Sequence, residues 1–170
     1  MSGWLHVWTY ASPIGDLGVA TDAGGCVRAV SFDGPSPGFW RGLGRLAPDL
    51  GAAEAQADPT VRSALDDYFS GARDALARIS WVVDGDGFAQ RVWRALAEIP
   101  AGSTISYGEM ARRSGEPSAA QAAGVALNRN PIPLILPCHR VIGADGALVG
   151  FGGGVERKRW LLAHEGALLL

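Results

Sequence analysis

The feature that most constrains this chain is a change of hydrophobic period midway along it. From Leu5 to Phe32 the pattern is strand-like, with Val7, Thr9 and Tyr10, then Leu17, Val19 and Ala20, then Val27, Ala29 and Val30. From Phe88 onward apolar residues recur at helical spacing, with Val92, Trp93, Leu96 and Ile99 on one face. A helix-period pattern does not settle as a strand, nor the reverse. The chain therefore reads as α+β: a small amino-terminal antiparallel sheet plus a helix, then a mainly helical carboxy-terminal domain. Asp84-Gly85-Asp86-Gly87 is a polar joint between them, so domains are expected at residues 1–87 and 88–170.

Turn chemistry divides each half further. Ser12-Pro13-Ile14-Gly15-Asp16 and Asp22-Ala23-Gly24-Gly25 are breakers at hairpin spacing. Residues 33–51, rich in Gly and Pro, read as an irregular connection with a short helix near Phe39 to Leu46. Val61, Leu65, Tyr68 and Phe69 predict a helix over Thr60 to Ser70 with Gly71 as its stop, and Ile79 to Val83 is a short strand candidate. In the second half, Phe88 to Glu98 is helical and ends at Pro100-Ala101-Gly102. Helices over Ser106 to Ser114 and Ser118 to Asn128, joined by Gly115-Glu116-Pro117, have the proportions of a helix-turn-helix. The second of these carries Ala119, Ala120, Ala122, Ala123, Gly124 and Ala126. Such a face suits tight helix packing or close approach to a DNA groove, and the residues alone leave both open.

The 170 residues suffice to bury a core without staples, and Met1 to Tyr10 lacks the pattern of a secretory signal. A cytoplasmic location is expected, with no membrane contact and with Cys26 and Cys138 as free thiols. Charge is uneven: residues 1–87 carry 6 Arg and 11 acids, whereas residues 88–170 carry 9 Arg plus Lys and 6 acids. The second half could meet phosphate and the first would be repelled, although uneven surface charge in an ordinary enzyme accounts for the counts equally well. His6 and Cys26 are the only His or Cys of the first half, too few for a four-ligand zinc site, so no metal is expected.

Chemistry concentrates around Pro137-Cys138-His139-Arg140-Val141, where prolines restrict the backbone beside a thiol. A thiol acts as a nucleophile once deprotonated, and an adjacent imidazole or guanidinium favours that form. His139 and Arg140 are candidates for that role, against the plain reading of Cys138 as inert packing.

The segment from Phe88 to Gly166 resembles the catalytic domain of the O6-alkylguanine-DNA alkyltransferases, the methylated-DNA–protein-cysteine methyltransferases. The matching pieces are Val92-Trp93-Arg94-Ala95-Leu96, Ile99-Pro100-Ala101-Gly102, Ser106-Tyr107 with Ala111, Asn130-Pro131, Pro137 to Ile142, Gly150 to Gly154, Lys158, and Leu161-Leu162 with His164-Glu165-Gly166. Residues 1–87 resemble the family's first domain loosely, through Ser12-Pro13-Ile14-Gly15 and the Tyr68-Phe69 helix.

This resemblance implies irreversible, stoichiometric transfer of an alkyl group from guanine O6 in double-stranded DNA to Cys138, after the base is flipped out. It implies no cofactor and needs only a monomer. His139 would take the thiol proton through a water, Glu165 would orient the imidazole, and Tyr107 would donate to the guanine ring. Asn130 would tie the recognition helix to the cysteine segment. Val141, Phe151, Gly152, Gly153 and Lys158 would line the base pocket with Tyr107. Ser106, Ala119, Ala120, Gln121, Ala122, Arg129 and Arg140 would face DNA. Gln121 departs from the family, which usually has an arginine at that position to replace the flipped nucleotide, so weaker DNA binding or slower capture of the base is expected.

Two other readings compete. A lesion-recognition protein of the alkyltransferase-like type would bind without transfer; the retained Cys138 argues against it and Gln121 for it. A thiol hydrolase or redox protein would use Cys138 and His139 on a small molecule and turn over.

Overall fold

Two short breakers set the strands of the first half. The computed structural model describes residues 3–148 and 151–168, and it divides into two units, Met1–Val82 and Val83–Leu170. The division falls just before the polar stretch 84–87, which belongs with the second unit: the Arg94 guanidinium donates to the carbonyls of Val83 and Gly85 at 2.7 and 2.6 Å.

In the first unit β1 (Trp4–Ser12), β2 (Gly15–Thr21) and β3 (Val27–Ser31) form an antiparallel meander, with Trp8 opposite Val19 and Val19 opposite Val30. Leu5 and Val7 point to one face, where Phe39, Trp40 and Leu46 of α1 (Pro37–Leu46) cover them. Ser36 caps that helix through its Oγ, and Pro37 supplies the preset φ of a first turn. Tyr10 points to the opposite face, where its hydroxyl meets Asp66 at 2.6 Å and its ring stacks on Phe69 of α2 (Pro59–Phe69). The Gly-Pro-rich connection ends in a fourth strand that the sequence pattern did not announce. This is β4 (Gly51–Glu54), which runs parallel to β1 and makes the order β3-β2-β1-β4. Residues 79–83, expected as a strand, form only an isolated bridge at Trp81 with Val27, after a 3-10 turn over Ala75–Arg78.

The second unit is helical, as the spacing predicted. Its helices are α3 (Phe88–Leu96), α4 (Tyr107–Arg113), α5 (Ala120–Asn128) and α6 (Val155–His164). Ser106 caps α4 by accepting from Glu109 N–H, and Gly115, at φ 89°, supplies the left-handed turn between α4 and α5. A two-residue parallel ladder joins β5 (Ile105–Ser106) to β6 (Val141–Ile142) and so ties the start of α4 to the residues just after Cys138. Among the described residues no helix is long and apolar enough to cross a membrane.

Candidate active site

Between α5 and β6 the chain makes a buried loop whose shape is set by one side chain. The Asn130 amide oxygen accepts from Ile132 N–H at 2.9 Å, and its Nδ2 donates to the Leu136 carbonyl at 2.8 Å, closing residues 130–136 into a turn. Within it Leu134 is buried at φ 75°, a region that costs a residue with a Cβ about 1–2 kcal/mol. The apolar contacts of Ile132, Leu134 and Leu136, all buried, hold that conformation. Pro137 then leads into a 3-10 turn over Cys138–Arg140.

Cys138 is buried, and burial pushes its thiol up to about 11. A hydrogen bond from the Asn130 side chain, the charge of Lys158 and backbone hydrogen bonds from Cys138 and His139 oppose that rise. At neutral pH the sulfur therefore keeps its proton, and its use as a nucleophile requires a base.

His139 is wholly buried, with Nε2 2.8 Å from Glu165 Oε2. Burial lowers its pKa more than the Glu165 carboxylate raises it, so the ring is neutral. Burial would by itself raise Glu165; hydrogen bonds from His139 and Arg140 outweigh it and hold this carboxyl far below the usual range. An ionised carboxylate can only accept, which assigns the ring proton to Nε2 and leaves Nδ1 with its lone pair. Among the described residues Nδ1 is buried with no hydrogen-bond partner. The base is thus neutral, oriented and unprotonated on one nitrogen.

Arg140 was expected at DNA and as a possible activator of the thiol. The structure corrects both expectations. Its Nε and Nη2 donate to Glu165 Oε1 and Oε2 at 2.8 and 3.0 Å, and Nη1 donates to the Ile99 carbonyl at 2.6 Å. It is buried, and its charge neutralises Glu165 rather than a phosphate. The cation that acts on Cys138 is Lys158, itself buried, with Nζ donating to the Val141 carbonyl at 2.7 Å and lying 6.0 Å from the Phe151 ring centre.

Of the other expected pocket residues, Phe151 and Val141 adjoin this core. Phe151 meets the His139 ring edge-on at 6.5 Å, and Val141 is fully buried in β6. Gly152 and Gly153 lie in the turn before α6, where the Gly153 carbonyl accepts from Arg157; Gly150 lies outside the described residues. Burial raises the Tyr107 hydroxyl, and a negative Cys138 would raise it further, which places the two groups within electrostatic reach. A Cβ added to Gly124 would lie 3.8 Å from the Tyr107 ring. Gln121, Ala122 and Arg129 are exposed along and just beyond α5, and Ser106, Ala119 and Ala120 are half-buried. Val125, 49% exposed, adds an apolar side chain to that helix. No group of three or more His, Cys, Asp or Glu side chains among the described residues is arranged to hold a metal.

A family model for the DNA-binding domain of 6-O-methylguanine DNA methyltransferase matches residues 87–167. A methylated-DNA–protein-cysteine methyltransferase of Mycobacterium tuberculosis is 42% identical over 166 residues, covering 95% of this chain and 92% of that one. The chain belongs to the methylated-DNA–protein-cysteine methyltransferase family. A second family member, from Salmonella typhimurium, is 48% identical over 106 residues, and there the match spans only 62% of either chain. A crystal structure of the Mycobacterium tuberculosis family member in complex with DNA superposes with a TM-score of 0.75 at 37% identity, covering 95% of this chain and 93% of that one.

Two features of this family member's site lay outside the sequence reading. One is the internal use of Arg140, since a cation beside a nucleophile does not declare which group it faces. The other is the pair of bonds from Arg91 to the end of α4 and from Trp93 to the last turn of α5; a part-buried indole N–H needs an acceptor, and that requirement was the available signal.

Proposed function

We propose that this chain repairs DNA by moving an alkyl group from O6 of guanine to Cys138 Sγ, once per molecule. The observation that carries the reading is the buried His139, neutral and held through Nε2 by an ionised Glu165, next in sequence to a buried thiol that needs a base.

His139 Nδ1 takes the Cys138 proton through a bridging water, and Glu165 stabilises the imidazolium that results. The sulfur attacks the alkyl carbon; the S–C bond forms as the C–O6 bond breaks. Tyr107 donates to the guanine ring, easing the negative charge that develops on the leaving base, and the ring takes up one proton, the equivalent of the one the thiol gave to His139, which the imidazolium returns through water. Asn130 holds Cys138 in place through the 130–136 turn. Val141, Phe151, Gly152, Gly153 and Lys158 form the surround of the flipped base. Ser106, Ala119, Ala120, Gln121, Ala122 and Arg129 face the duplex, with the small side chains of α5 permitting close approach. The thioether has no route back to a thiol, so the chain is consumed. In this reading the second unit performs recognition and chemistry, the first is structural, one monomer suffices, and the work is done in the cytoplasm.

Incubation with duplex DNA carrying label in the O6-methyl group tests the proposal. One equivalent of label on Cys138, with a plateau set by protein concentration, is the expected result. Tight binding without label would make the chain a lesion-recognition protein, and release of product beyond one equivalent would make it a hydrolase.

A further inference from the structure

Helix α3 carries two polar contacts that the chemistry above does not use. Val92 and Leu96 are fully buried and define its inward stripe. Arg91 and Trp93 stand about 100° to either side of Val92 and so leave the helix in different directions. Trp93 Nε1 donates to the Ala126 carbonyl at 2.7 Å, in the last turn of α5. Arg91 Nε donates to the Ser114 carbonyl at 3.0 Å, at the end of α4, and its Nη2 lies 3.8 Å from Glu116 Oε1 in the turn that leads into α5. Both acceptors belong to helix ends, whose carbonyls lack a full set of intrahelical partners.

Helix α5 needs such support. It has nine residues, no side-chain cap at its start and no basic residue in its last turn. A helix of that length and alanine content is marginal alone, so its position is set by what holds its ends. Arg91 holds the approach and Trp93 the exit, and Asn130, two residues beyond the exit, begins the turn that seats Cys138.

We propose that Arg91 and Trp93 are positioning residues that set the pitch of α5 against Cys138, and thereby govern transfer from duplex DNA without governing the reactivity of the sulfur. The inference rests on the alkyl transfer proposed above. It separates two steps that share one site: presentation of a base from a duplex depends on α5, whereas attack on a free base that diffuses in depends on Cys138, His139 and Glu165.

The test compares alkylation rates of Cys138 with two substrates, duplex DNA holding O6-methylguanine and O6-benzylguanine as the free base, whose benzylic carbon is the better electrophile. Trp93→Phe keeps the ring and removes the donor. Arg91→Lys keeps the charge, so simple phosphate attraction is preserved, and removes the planar fork. The expected result for each variant is a loss of about tenfold on duplex, on the scale of one hydrogen bond, with the free-base rate within about twofold of wild type. Equal losses on both substrates would show a merely structural role and overturn the inference, as would unchanged rates on both. If Trp93→Phe fails to fold, Arg91→Lys decides alone, since the Arg91 side chain is 45% exposed. A wild-type chain that labels with neither substrate would remove the proposed function and this inference together, whereas a labelled wild type with no substrate split removes the inference only.

Discussion

The chemistry at Cys138 starts from a sulfur that holds its proton tightly. Burial places the thiol at about 11, with Asn130 and Lys158 pulling the other way. In the protein without DNA, thiolate absorbance should titrate with a midpoint near 11, and Asn130→Ala should move that midpoint higher; a midpoint below the ordinary 9 would contradict the account. Glu165 carries a different burden, because its one carboxylate meets both His139 and Arg140. Glu165→Gln leaves Arg140 charged and unpaired in the interior, and a loss of about 3–5 kcal/mol in urea unfolding is expected. The pH dependence has a definite sign. His139 and Glu165 both have folded values below their ordinary 6.5 and 4.5, so the unfolded chain binds protons that the fold refuses. Stability should therefore decline as pH falls through 6.5 and again through 4.5, and His139→Asn should flatten the first of these legs. The sequence made Cys138, His139, Glu165 and Asn130 legible because reactive residue types stood in an ordered family pattern. It misplaced Arg140, since the acceptors it meets, Glu165 and the Ile99 carbonyl, lie 25 and 41 residues away along the chain.

At the scale of elements, what was legible depended on whether the signal was local. The strands β1 to β3 and the helices α2 to α5 follow from period and breakers within each segment, and the structure starts or ends most of them within two residues of the expected points. Strand β4 is Gly51-Ala52-Ala53-Glu54, without a β-branched or aromatic residue, and exists because β1 offers it an edge. The β5–β6 ladder is two residues long on each side and is created by contact between segments far apart in sequence. Helix α5 was legible as a helix, but its orientation was not, because the side chains that hold it sit on α3. Gln121 lies in the first turn of α5 and is exposed. If it occupies the place left by the flipped base, Gln121→Arg supplies a planar cation able to stack there, and lesion-duplex affinity should rise by about 1 kcal/mol, with faster transfer from duplex. Unchanged affinity and rate would mean that the glutamine carries no deficit.

Across the whole molecule, the charge available to DNA is smaller than the sequence count suggests. Of the nine basic residues after position 87, Arg140 and Lys158 are buried. Arg112 and Arg113 both pair with Glu109, and the Arg94 guanidinium serves the carbonyls at 83 and 85. Arg129 and Arg159 are exposed, and Arg129 follows α5 directly. A protein that neutralises few phosphates releases few counterions, so its affinity falls gently with salt. Binding of an O6-methylguanine duplex, measured from low to moderate salt, should give a log–log slope of about −2 to −3, at roughly −0.9 for each phosphate neutralised. Arg129→Gln should flatten that slope by about one phosphate's share, 0.9, while Arg140→Gln should leave it unchanged in whatever fraction of that variant folds. A wild-type slope near −6 would instead require the paired arginines to leave Glu109 and meet the backbone, and Glu109→Gln would then strengthen binding by releasing them.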